Sequence, residues 1–249
     1  MDTAACPVKT VFKRELRSYF DSPIAYVFLV VFLMLTGFLT FSVSRLYEKG
    51  SADPWPFFFW HPWVYLIFVP AVSMRLWAEE RRTGTLELLL TLPFTLTQAI
   101  IGKFLAAWAF LGIALGLTLT VPLSMVLLGG HPDAGVLLSG YLGSFGLAGA
   151  LLAIGTWTST LSRNQVVSFV LAVMLSVFLL LAGWPPITDL LARVAPPLAV
   201  RIISAFSFMP HYDSCLRGVL DLRDFAYFAS VIVFMLTATH IVLENRKSA

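Results

Sequence analysis

Charge is the scarcest feature of this sequence. Only 12% of its 249 residues are Asp, Glu, Lys or Arg, 58% are hydrophobic, and mean hydropathy is +0.84. A typical soluble domain carries about 25% charged residues, and a chain of this length cannot enclose so much apolar surface in one water-facing core. Soluble enzymes and nucleic-acid binders are thereby excluded, so the net charge of +3 calls for another explanation than an anionic polymer. Cysteine is nearly as scarce. Cys6 and Cys215 form no CxxC pair, and no Cys/His cluster has zinc spacing.

The usual catalytic signatures are missing too. There is no HExxH, no G-x-S-x-G turn, and no Ser/His or Asp/Asp pair on adjacent apolar runs. The phosphate cradle GxxxxGK[ST] is absent, and the one Gly-Lys, Gly102-Lys103, is followed by Phe104 at a helix entrance. The histidines 61, 131, 211 and 240 are scattered. A carrier driven by an ion gradient normally needs ionisable groups inside the membrane to bind and release the ion. The apolar runs hold none beyond His61 and His240, each near an end of its run. No catalytic, metal-ligating or cofactor-binding residue is expected, and the chain is not expected to be an enzyme.

Long apolar runs are abundant. A spanning helix needs about 20 mostly apolar residues, and six stretches qualify: 24–43, 57–74, 104–128, 136–161, 166–183 and 225–243. The predicted fold is an all-α polytopic membrane protein, a single domain over 1–249. The first run lacks a small-residue cleavage site, so it reads as a retained span and not a signal peptide. Pro62 and Pro70 predict a kinked second span.

Orientation follows from the loop cations. With the N-terminus inside, the inner segments hold eleven: Lys9, Lys13, Arg14, Arg17, Arg75, Arg81, Arg82, Lys103, Arg163, Arg246 and Lys247. The outer segments hold six: Arg45, Lys49, Arg193, Arg201, Arg217 and Arg223. This bias places both termini in the cytoplasm, accounts for the net positive charge, and puts the two thiols on opposite sides of the bilayer. Trp55, Trp60, Trp63 and Tyr65 then read as an aromatic belt at the outer mouth of the second span.

Four segments add detail. Over 8–20, Val8, Val11, Phe12, Leu16, Tyr19 and Phe20 share one helical face and Lys9, Lys13 and Arg17 the other, which predicts an interfacial amphipathic helix on membrane lipids. Glu15 projects onto the apolar side. It either tilts to a wetted edge or contacts a basic group of the inner loop or of a partner. Gly143, Gly146, Gly149, Ala150 and Ala153 line a flank of the fourth span and predict close helix packing. The outer segment 184–224, apolar and interrupted by prolines, predicts two short helices in or dipping into the outer leaflet, each too short to span.

The most informative segment is the inner loop 75–93, RLWAEERRTGTLELLLTLP. Its charges continue the second span. Gly84 is a natural left-handed helix stop, Thr85 can cap a following helix, and Glu87 sits in that helix's first turn. Leu86, Leu89 and Leu90 form an i, i+3, i+4 stripe that Pro93 ends. The product is a short helix pair, apolar on one side and charged on the other, with an ordinary solvated hairpin as the competing reading.

This loop resembles that of ABC-2 type permeases, roughly E-[EK]-x-x-G-T-x-E-x-L-L-x-x-P, with Glu79, Glu80, Gly84, Thr85, Glu87, Leu89, Leu90 and Pro93 at the corresponding positions. FKRELRSYFDSPIAYVF (12–28) and HYDSCLRGVLDLRDFAYF (211–228) resemble stretches of the gliding-motility-associated permeases within that family. The resemblance implies a six-span permease subunit of an export-type ABC transporter in the bacterial inner membrane. It implies a second permease copy, as a homodimer, a cytoplasmic ABC ATPase dimer that binds the ATP and magnesium, and room for an extracytoplasmic auxiliary protein. The residues that couple to the ATPase would be Glu79, Glu80, Arg81, Arg82, Gly84, Thr85, Glu87, Leu90 and Pro93, with Glu15 beside them. Arg81-Arg82 departs from the pattern by putting two cations where one is common. The alternative is a mechanical or scaffold module, which passes the same motion to an extracytoplasmic partner and translocates nothing.

Overall fold

The computed structural model describes residues 7–48, 52–84, 95–193 and 196–247, and among these there is no strand. The first helix, α1 (Pro7–Phe20), stops at Asp21, and Ser22 caps α2 (Pro23–Phe38) by accepting a hydrogen bond from the Ile24 N–H at 3.4 Å, with proline in the first turn. A π-helical turn, Leu39–Val43, extends α2. The second apolar run is built from α3 (Trp55–Phe59), α4 (His61–Ser73) and α5 (Arg75–Thr83), with turns at Trp60 and Met74. These three run on as a single 29-residue segment, Trp55–Thr83.

α6 (Leu96–Leu117) and α7 (Thr120–Leu127) form the third segment, α8 (Ala134–Leu161) the fourth and α13 (Leu222–Lys247) the last. Among the described residues, five segments are thus long and apolar enough to cross a membrane: Pro23–Val43, Trp55–Thr83, Leu96–Leu127, Ala134–Leu161 and Leu222–Asn245. The sixth is α9 (Gln165–Leu181), which reaches spanning length only with α10 (Pro185–Ala192), bent from it by 72°. Gly183 and the Pro185-Pro186 pair cause the bend. Ser207 reaches back across it and donates to the Leu180 carbonyl at 3.0 Å, satisfying an acceptor that the helix end leaves open.

α8 is the central post. It packs against α4, α6, α9 and α13, and against α12 (Phe208–Leu216). Its small residues permit this, because helices in lipid associate by close packing and not by a hydrophobic drive. A Cβ on Gly149 would sit 2.7 Å from the Trp108 ring, and one on Gly143 would sit 2.6 Å from Cβ of Cys215. The predicted packing flank is therefore used on more than one side. The outward faces of α2, α9 and α13 remain apolar and exposed, with Ile24, Met34, Val166, Met174, Val233 and Phe234 among them. That distribution belongs to a polytopic membrane protein.

Two expectations need correction. Tyr65 is no part of an aromatic belt: it is 1% exposed, stacked on Phe32 with centroids 6.1 Å apart, because α4 turns that face into the aromatic core of Phe28, Phe32, Phe68 and Phe110. The outer segment holds three short helices and not two, namely α10, α11 (Pro197–Ala205) and α12. The third is not surface-lying, since Phe208, Tyr212 and Cys215 are buried against α8. Tyr212 donates to the Phe58 carbonyl at 2.8 Å and lies 2.9 Å from the Ser144 hydroxyl, which in turn lies 2.8 Å from His61 Nδ1. A polar string in the core, which sequence spacing does not show, thus holds α12 inward.

Candidate coupling site

The site lies at the α1 end of the bundle, where the second segment continues as α5. Leu76, Trp77 and Ala78 bury one side of α5. Gly84 ends it in the left-handed region, φ 73° and ψ 7°, as the sequence predicts. The charged side is divided. Glu79, Arg82 and Gly84 are exposed, whereas Glu80 and Arg81 turn toward the bundle. Arg81 donates to the Thr160 carbonyl at 2.5 Å, in the last turn of α8, where a cation also complements the helix dipole.

Glu80 meets Lys103. The two are 2.7 Å apart, and Lys103 also lies 3.2 Å from Glu15. The Lys103 side chain is only 4% exposed. It projects from the third turn of α6, whose start is fixed by a capping box between Thr95 and Gln98. Its ammonium also stands 5.5 Å from the Trp77 ring centroid. The neighbouring Gly102 lets α1 come close, since a Cβ there would lie 2.8 Å from Val11. The Gly102-Lys103 pair, useless as a phosphate cradle, thus brings α1 to α6 and supplies the buried cation.

α1 is held along its apolar face. Tyr19 stacks on Phe110 with centroids 5.0 Å apart, Phe20 meets the same ring edge-on, and Arg75 sits 5.1 Å above Tyr19. Burial pushes the Tyr19 hydroxyl above the ordinary phenol range; Arg75 opposes this and Glu15 adds to it. Arg14 lies 3.0 Å from Glu15 on the open side. Between α1 and α5 is a cleft of about 390 Å³, lined among others by Glu15, Ser18, Arg75, Glu79 and Lys103.

Of the sequence-predicted residues, the structure brings Glu15 and Glu80 together through Lys103, seats Arg81 on α8, and leaves Glu79, Arg82 and Gly84 outward. Thr85, Glu87, Leu90 and Pro93 lie outside the described residues. The choice left open for Glu15 resolves toward contact: it meets a basic group, but one on the helix after the loop. Lys103 is not among the sequence-predicted site residues, because an apolar run that begins at Phe104 leaves it in the preceding loop. Thr95-x-x-Gln98 is a readable capping box that would have put Lys103 two turns inside a helix. Arg75 and Trp77 carried no comparable signal.

At the opposite end Asp224 accepts from Ser214 and lies 2.7 Å from His211 Nδ1, tying α12 to the first turn of α13. Among the described residues no three of His, Cys, Asp and Glu gather as a metal site. No curated protein matches the chain. The family model described as ABC-2 family transporter protein matches residues 64–243, from within α4 to near the end of α13. With most of its length covered by that model and its helices arranged as a membrane domain, the chain belongs to the ABC-2 family of transporters and is a transmembrane permease component of an ABC transporter.

Proposed function

We propose that this chain is the permease of an export-type ABC transporter driven by ATP hydrolysed on a separate subunit, with the α5 tip as the point where force enters. The observation that carries the reading is mechanical continuity. α5 prolongs the second segment without a sharp bend, and its inward charges fasten it to α6 and α8 through Lys103 and Thr160. Its outward charges, Glu79 and Arg82, are left for a partner. Permeases of this family work with a cytoplasmic ATPase. The partner must bind α5 more tightly in its ATP-closed form than in its open form, since only differential affinity shifts a conformational equilibrium.

In this proposal the α1 end and both termini are cytoplasmic, the membrane is the bacterial inner membrane, and two permease copies sit on two ATPase copies. The kinship with gliding-motility permeases, which rests on 12–28 and 211–228, belongs to the same proposal. A second reading is supported by the opposite end, where Leu190, Leu198, Ile202 and Phe206 are exposed on and beside α10 and α11. These helices could pass the motion to an extracytoplasmic auxiliary protein with no substrate moving between the spans.

The test is charge reversal at the outward positions. In the complex purified with its ATPase, Glu79→Arg with Arg82→Glu is expected to lower permease-stimulated ATP hydrolysis by about tenfold or more, a loss of about 1.4 kcal/mol of docking free energy. Unchanged stimulation would remove α5 as the docking element.

A further inference from the structure

Lys103, on α6, reaches carboxylates on two other elements, Glu80 on α5 and Glu15 on α1. Its ammonium is desolvated, so it cannot be left without a carboxylate. The arrangement is asymmetric. The shorter contact, 2.7 Å, is to Glu80 on α5, and the longer, 3.2 Å, is to Glu15 on α1. Glu15 has a second cation in Arg14 at 3.0 Å, on the exposed side. If α5 withdraws Glu80, Lys103 is still paired with Glu15. The Glu80 side chain, 17% exposed, lines the cleft, although its Oε2 is buried. Withdrawal of Glu80 therefore leaves the buried Lys103 paired, which is the requirement for a polar contact that must break and re-form on each cycle.

We propose that Lys103 is the latch of the coupling element, a positioning residue that grips α5 through Glu80 in one state and rests on Glu15 in the other. This deepens the function proposed above and takes its purpose from it. Glu80 is the catch that holds α5, and Glu15 is the rest that makes release possible. The two carboxylates then have opposite effects, although both touch the same lysine.

The direct test is hydrogen exchange of the purified permease alone, in lipid nanodiscs, read over 75–83 and 7–20. Glu80→Gln is expected to raise exchange over 75–83 by about tenfold or more, the loss of one charge-assisted hydrogen bond, with 7–20 little changed. Glu15→Gln is expected to leave exchange over 75–83 unchanged or lower, because Lys103 then has only Glu80. Glu80→Asp, one methylene short of the lysine, is expected to fall between wild type and Glu80→Gln, and it serves if the amide variant does not fold. Equal rises over 75–83 in Glu15→Gln and Glu80→Gln would overturn the latch and leave a static ion cluster.

ATP hydrolysis by the complex with its ATPase separates the two levels of the proposal. With the latch and the coupling reading both correct, Glu80→Gln hydrolyses ATP without coupling it to the permease, and Glu15→Gln turns over more slowly. Exchange behaving as described while hydrolysis is unaffected by either variant would retain the latch and overturn the coupling reading.

Discussion

Gly84 shows how much of the site one backbone angle controls. Its φ of 73° is in the left-handed region, yet a Cβ there would touch nothing within 4 Å among the described residues. The conformational penalty for replacing it is about 1–2 kcal/mol for an ordinary L-residue and less for Asn, which tolerates this region. Gly84→Val is therefore expected to weaken the end of α5 and Gly84→Asn to spare it, with hydrogen exchange over 75–83 as the measure. Gly84→Pro, whose ring fixes φ near −65°, is expected to abolish the stop and uncouple ATP hydrolysis from the permease. Lys103 makes the opposite point. Its buried charge is held by groups distant in sequence, so removing both carboxylates, Glu15→Gln with Glu80→Gln, is expected to cost about 3–5 kcal/mol, read from unfolding in detergent. Equal stability of that double variant and wild type would mean the lysine is hydrated after all.

Among the elements, α8 decides the architecture, and its buried glycines differ from an exposed glycine of α6 in what a side chain would meet. Gly149→Val would drive a side chain into Trp108, whose indole also donates to the Phe145 carbonyl at 3.0 Å, and is expected to cost about 1–3 kcal/mol of stability. On α6, the exposed Gly116 has nothing within 4 Å of a built Cβ among the described residues, so Gly116→Ala is expected to cost nothing. Thermal unfolding of the two variants side by side checks the contrast. Hydropathy made the long segments legible because apolar composition over about 20 residues is a local property, with caps such as Ser22 and Asn164 marking some of the starts. It could not show that Lys103 lies inside a helix, because one cation at the edge of a run looks the same as a loop residue until the cap at Thr95 is read. It could not place Tyr65 or α12, because whether an aromatic residue faces lipid, headgroup or protein depends on partners far along the chain, here Phe32 and Ser144. The left-handed stop at Gly84 was legible because its cause is local.

For the whole molecule, the asymmetry between the two ends is the larger claim. One end carries α1, the α5 tip and a buried ion cluster; the other carries three short helices and a hydrogen-bonded Asp224. The proposed orientation makes Lys13 cytoplasmic and Glu48 external, and both are exposed. In a background with Cys6 and Cys215 replaced by serine, a membrane-impermeant maleimide applied to intact cells is expected to label Glu48→Cys and not Lys13→Cys. Cys215 is itself a poor target, since it is buried and its thiol is pushed up to about 11, chiefly by that burial.

The most direct test of the account is to place a photo-crosslinking amino acid at Arg82, on the outward side of α5, and identify what it captures in native membranes. The account predicts a cross-link to an ABC ATPase subunit that strengthens when ATP is trapped in the closed state. Capture of lipid or an extracytoplasmic protein, with no ATPase, would contradict it.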